Sequence, residues 1–150
     1  STGYRVVLVT AGRDRATRAV TDAVTRWGRA EHVDLRTVDA DGEHVDGIAR
    51  AIAMRPDLVI GAGNRLVDAL ALVTASNPHQ QFLIVGAEVA EPTQNVTAVD
   101  WTGAAFRGEG LGAPSAYDPA TFTAARCDAA LRAGIAAVLT QLTGVVLWID

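Results

Sequence analysis

Asp100 and Trp101 stand side by side at the end of an apolar run. An aromatic face beside a carboxylate can hold a base or a sugar: the ring stacks while the carboxylate accepts hydroxyl or amine hydrogens. An equally weighted reading packs Trp101 under the long loop that follows it. Polar residues close other apolar runs in the same way, namely Thr10, Gly12, Arg13 and Asp14, then Asp39, then Gly61, Asn64 and Arg65, then Gly86 and Glu88. From these positions Arg13, Asp14, Asn64, Glu88, Asp100 and Trp101 are the candidate ligand contacts. Position groups them, because in an open parallel sheet ligands bind beyond the carboxyl ends of the strands.

Motifs for covalent or cofactor chemistry are thin. Gly61-Ala62-Gly63 precedes a helical pattern, but Leu66 stands where a dinucleotide fingerprint needs its third glycine, and the pair follows the third strand and not the first. A tight turn with Asn64 capping the next helix is the expectation. The serines are Ser1, Ser76 and Ser115, none in a nucleophile elbow. His32, His44 and His79 lack metal-ligand spacing. Asp39-Ala40-Asp41-Gly42-Glu43 has the residues of a solvated turn but not the closing glutamate of a calcium loop. Cys127 lies among alanines and reads as a small core residue. No lysine occurs, which excludes Schiff-base lysine and Walker-lysine chemistry. The expectation is binding without catalysis, metal or cofactor.

Composition bounds the partners. A net charge of −4 with no basic run disfavours nucleic acid. No apolar stretch approaches the ~20 residues of a membrane span. At 150 residues and 49% apolar, the chain fits one domain, residues 1–150, with a sizeable core. Ser1-Thr2-Gly3 leads almost at once into a strand, so no secretory leader is expected within these residues.

The elements that position the candidates follow from periodicity. Val6–Val9 is a continuous apolar run, as in a strand covered on both faces. Ala16, Val20, Ala23, Val24 and Trp27 recur at helical spacing, with Asp22 and Arg26 able to pair across one turn and Gly28 expected to end the helix. An alternating edge strand over Val33–Val38 is followed by a helix through Val45, Ile48 and Ile52 that stops before Pro56. Leu58–Ile60, a helix through Leu66 and Val73, Phe82–Val85 and Val96–Val99 come next. This alternation predicts an α/β fold, a three-layer open parallel sheet of about six strands with helices on both faces.

The last third begins with a Gly-rich loop over 102–117. Loops of this length are functional or mobile. Asp118-Pro119 then reads as a helix start. The helix is expected to run to Leu142, carrying Leu131, Ile135 and Val138, with Gly144 ending it before a strand at Val145–Ile149. Between Ala129 and Leu139 it is apolar nearly all round and must be buried in the domain or against another chain.

Asp57-Leu58-Val59-Ile60-Gly61, Asp68-Ala69-Leu70, and Asn77-Pro78 before Gln81–Val85 together resemble the basic membrane protein family, the purine-nucleoside-receptor-like substrate-binding lipoproteins of bacterial ABC importers. Asn95–Val99, Leu131–Ala137 and Thr143–Leu147 are similar to later segments of that family. The resemblance covers residues 57–99 and 131–150. It implies the first lobe of a type 1 periplasmic-binding fold, a nucleoside-like ligand, a second lobe across a hinge, and a surface or extracellular lipoprotein. Of the family's opening Asp and Ser-Phe-Asn motif, Asp14 is the residue that would stand in. A lone lobe supplies half of a clamp, so a homo-oligomer or a second lobe is the expected partner.

Two other classes remain open. One is a structural or signalling interaction domain that binds no ligand. The other is a flavodoxin-like enzyme that uses the 102–117 loop as a lid over Asp and Glu chemistry.

Overall fold

A computed structural model describes residues 3–104 and 116–150. Six parallel strands form one sheet in the order β2-β1-β3-β4-β5-β6. They are β1 (Arg5–Thr10), β2 (Asp34–Asp39), β3 (Leu58–Ala62), β4 (Phe82–Val85), β5 (Val96–Asp100) and β6 (Val145–Trp148). Helices α1 (Arg15–Ala30) and α4 (Ala124–Leu139) cover one face, while α2 (His44–Ala53) and α3 (Val67–Ala75) cover the other. The α/β three-layer expectation is met.

Strand alternation divides the core in two. Val6, Leu8, Leu58, Ile60, Leu83 and Val99 point toward α1 and α4; Val7, Val9, Val59, Phe82, Ile84 and Ala98 point toward α2 and α3. Both faces are covered, so the central strands are apolar throughout. The edge strands differ: β2 exposes Arg36 and Thr37, and β6 exposes Val145 and Trp148. Gly134 lets α4 settle onto the sheet, since a Cβ there would lie 2.5 Å from Leu83 and 3.1 Å from Val99.

The chain moves from β1 to β2 on one side, then crosses back to place β3 on the other side of β1. The switch point therefore lies between the carboxyl ends of β1 and β3, where turns at Gly12–Asp14 and Gly63–Asn64 meet.

Several local expectations are corrected. Gly28 does not end α1; it lies inside the helix under Leu35, whose Cδ2 would be 3.2 Å from an added Cβ. The end comes at Glu31, with His32 in the left-handed region at φ 54° and the Val33 N–H donating to the Gly28 carbonyl at 2.9 Å. Arg26 bridges to Asp128 of α4 at 2.8 Å and does not pair with Asp22. The helix expected from Asp118 to Leu142 is broken. Asp118 caps only a 3-10 turn, Pro119–Thr121; Phe122 turns inward, and Thr123 caps α4 through the Arg126 N–H at 3.2 Å. The lid role expected for loop 102–117 falls mainly on residues 105–115, outside the described residues.

Candidate functional site at the strand ends

Asp14 is the N-cap of α1, its carboxylate accepting from the Thr17 hydroxyl at 2.8 Å and the Thr17 N–H at 3.4 Å. Arg13 beside it is exposed. Across the switch point Gly63, at φ 111°, turns the chain into a 3-10 turn, Asn64–Leu66. The Asn64 side chain makes no capping bond there, contrary to expectation, because Asn64 is already the first residue of that turn. Arg65 folds back over Gly12 and lies 3.8 Å from Asp41, an exposed pair of little energetic weight.

Gly63, Asn64, Thr17, Gly86, Tyr117 and Phe122 line a depression between these turns of about 10 Å³. That space holds at most one water. Tyr117 is an aromatic of this edge that sequence reasoning passed over. Its ring packs 6.2 Å from Phe122, and burial together with the nearby Asp14 charge raises its phenol pKa. Only the long loop preceding it could have flagged it.

Trp101 is placed elsewhere. It is 1% exposed, packs edge-on against Phe122 at 4.9 Å, and donates its Nε1–H to the Thr121 hydroxyl at 3.0 Å. Its ring faces belong to the core, so the paired reading of Trp101 with Asp100 as ligand contacts is corrected to a structural role for Trp101. The two side chains leave β5 on opposite faces, as successive residues must.

Asp100 is the unusual group of the edge. It is completely buried on the α2/α3 side of the sheet. Oδ1 accepts the Trp101 N–H at 3.0 Å, while Oδ2 is buried with no hydrogen-bond partner among the described residues. Its pKa is raised from 3.8 to about 7: burial is the largest cause, the Trp101 N–H pulls it down, and the Glu88 carboxylate adds to the rise. Glu88 is itself buried in the segment after β4. In register with Asp100, and therefore on the same face, stands Trp148 of β6, 47% exposed. A carboxylate next to an aromatic does occur here, but the ring is Trp148, brought alongside by strand pairing.

Asp100 carries a pH signature. Its folded pKa lies above its unfolded one, so the folded state holds the proton more tightly and stability declines as pH rises from about 4 to about 7. At 1.36 kcal/mol per pKa unit, that rise makes the ionised form cost about 4 kcal/mol. Asp100→Asn keeps the acceptor for Trp101 and removes the charge. Thermal melts should show it more stable than the native protein near pH ~8 and level with it near pH ~4. A constant difference across this range would refute the assignment.

The remaining nucleophile is inert. Cys127 is buried in the first turn of α4, and burial, with Asp128 adding to it, pushes its thiol up to about 11. Among the described residues no cluster of three or more His, Cys, Asp or Glu could hold a metal, and no helix is long and apolar enough to cross a membrane.

No family model matches the chain, and no curated protein matches it by sequence. Solved structures do match. An ABC transporter solute-binding protein from Aeropyrum pernix K1 superposes with a TM-score of 0.57 at 16% identity, over 67% of this chain and 29% of that one. A fragment of a Peptoclostridium difficile 630 protein assigned as a lipoprotein gives 0.60 at 16% identity, over 93% and 99%. A transcriptional activator of the comK gene from Bacillus halodurans gives 0.53 at 17% identity, over 67% and 35%. The chain has the fold of a single lobe of the solute-binding type, and it spans about a third of the length of the solute-binding protein and the activator.

Proposed function

We propose that this chain is a ligand-contacting lobe of a solute-binding protein of the ABC importer type, with a nucleoside-like polar small molecule as ligand. The observation that carries the reading is the buried Asp100 Oδ2, left without a donor among the described residues at the carboxyl edge of the sheet. A polar group in that state calls for a partner. A ligand hydroxyl or amine would supply one, with Trp148 offering an exposed ring alongside. Arg13, Asp14 and Asn64 at the switch point and the buried Glu88 complete the contact set, with Tyr117 added and Trp101 left to the core. The depression of about 10 Å³ at the switch point holds at most one water, so a second lobe or partner would have to complete the cleft. The resemblance to the basic membrane protein family supports the nucleoside class and a location at the cell surface as a lipoprotein. Binding is the whole role in this reading; no residue is assigned to turnover.

Thermal unfolding with a panel of nucleosides, bases and sugars tests it. A ligand at ~100 times its dissociation constant adds about 2.7 kcal/mol, or roughly 5–10 °C for a domain of this size. The shift should be larger above neutral pH, because a donor to Oδ2 prefers the ionised carboxylate, and Asp100→Asn should abolish it. A flat response from the chain joined to its second lobe would reject the reading. The small depression also favours a second reading, an interaction domain without ligand; intact folding with a flat panel would support that one.

A further inference from the structure

The two edges of the sheet are built differently. β2 carries Asp34, Arg36 and Asp39, charges that keep a further strand from pairing there. β6 is Val145-Val146-Leu147-Trp148, followed by Ile149, with no charge and no proline. Its outer side pairs with no strand among the described residues. No residue of β6 is fully buried, and Val145 and Trp148 are exposed.

Ladder geometry decides which groups the open side presents. The Ile149 N–H donates to the Asp100 carbonyl at 3.0 Å. Along a parallel ladder every second residue turns its N–H and C=O toward the same neighbour, so Leu147 also bonds to β5. Val146 and Trp148 therefore turn their N–H and C=O outward. Gly144 adds no donor to that side, since its N–H is taken by the Val96 carbonyl at 2.8 Å.

We propose that β6 pairs antiparallel with β6 of a second copy, joining the two sheets about a two-fold axis normal to them. Outward backbone groups call for a strand, and two features select a second copy as its source. The first is register. An axis at Leu147 sets Leu147 opposite Leu147, the Val146 of each copy opposite the Trp148 of the other, and each Val145 opposite an Ile149. Val146 and Trp148 then form the hydrogen-bonded pairs, and these are the residues whose groups point outward. Faces match as well: Val146 and Trp148 lie on the α2/α3 side, Leu147 and Ile149 on the α1/α4 side, and every cross-strand pair is apolar. The two Trp148 residues become diagonal neighbours, about 7–8 Å apart and within reach of one another. The second feature is charge. The chain carries −4, yet the joined edges carry none, and each Asp150 falls opposite a Gly144, at opposite ends of the ladder. Pairing β6 with the β2 of another copy would draw Asp34, Arg36 and Asp39 into the ladder and leave a free edge at each end, giving open growth and not a dimer. This interface goes beyond the binding reading, since it rests on the backbone of β6 and its test uses no ligand.

Sedimentation of the full chain from micromolar to millimolar concentration tests the proposal, with folding followed by circular dichroism. The native chain should form a dimer and nothing larger, toward the upper end of that range because the ladder is short. Val146→Pro removes an outward N–H from each copy while sparing the bonds to β5, a position at which edge strands admit proline. It should weaken dimerisation by about tenfold or more. Cysteine substitutions read the register without depending on the folding of that variant. In a Cys127→Ala background, Leu147→Cys meets its own counterpart at a Cα separation of about 4.5 Å, within disulfide reach, and should cross-link under mild oxidation. Val145→Cys faces Ile149 and should not. A native chain monomeric throughout, as when another segment or a different protein covers the edge, would overturn the proposal. So would a folded Val146→Pro variant that dimerises like the native chain, or cross-linking at Val145→Cys equal to that at Leu147→Cys.

Discussion

Replacing Trp101 by alanine is expected to cost about 3–5 kcal/mol, the range for truncating a buried Trp in a packed core. Chemical denaturation should read it as a lower midpoint at an unchanged slope. Trp101 is among the largest fully buried side chains, and its ring packs against Phe122, the residue that separates the 3-10 turn from α4. Removing the indole opens a cavity and also frees the Thr121 hydroxyl, which accepts the indole N–H while donating to the Asp118 carbonyl at 2.8 Å. Trp101→Phe separates the two effects. It keeps most of the apolar volume and loses the hydrogen bond, so its cost should stay near 1–2 kcal/mol. If alanine costs no more than phenylalanine, the ring is not a core member and its role as a ligand contact should be reopened.

A second large effect is expected at Gly63, for a backbone reason. At φ 111° and ψ 128° it occupies a conformation that side chains strongly disfavour. A Cβ there would lie 2.8 Å from the Ala11 carbonyl oxygen and 3.1 Å from the Thr17 hydroxyl. The carbonyl is backbone and cannot swing aside. Gly63→Ala should therefore destabilise by about 2–4 kcal/mol, combining dihedral strain with a forced displacement of the β1–α1 turn. Gly42 is the control. It has a similar positive φ of 82° with nothing within 4 Å of a Cβ, so Gly42→Ala should cost only the dihedral term, about 1 kcal/mol. Equal losses at the two sites would show that close approach at the switch point contributes nothing. Because Gly63 joins the turns carrying Asp14 and Asn64, its substitution should also blunt any ligand response.

The strands were legible because their burial is symmetrical. A strand covered on both faces needs apolar residues throughout, so Val6–Val9, Leu58–Ile60 and Phe82–Val85 announce themselves without a register. The helix ends were harder. Glycine inside a pattern reads as a stop, yet Gly28 is required by Leu35 and the real stop is a histidine in a left-handed turn. Whether a small residue ends a helix or admits a neighbour depends on what packs against it, and that neighbour is distant in sequence.

The site divides along the same line. Sequence by itself determined the alternation of strand and helix, and with it the sheet edge at which the candidate contacts lie, because local periodicity and turn chemistry act within a few residues. It placed Arg13, Asp14, Asn64, Glu88 and Asp100 at strand ends on that ground alone. Only the tertiary structure decided which way the side chains point and what they meet. Trp101 and Asp100 are adjacent in the chain but lie on opposite faces of the sheet, while Trp148, forty-eight residues away, stands beside Asp100 through strand register. The same holds for the groove between α1 and α4, where Arg26 meets Asp128. Such pairings rest on contacts between elements far apart in the chain, which no local pattern encodes.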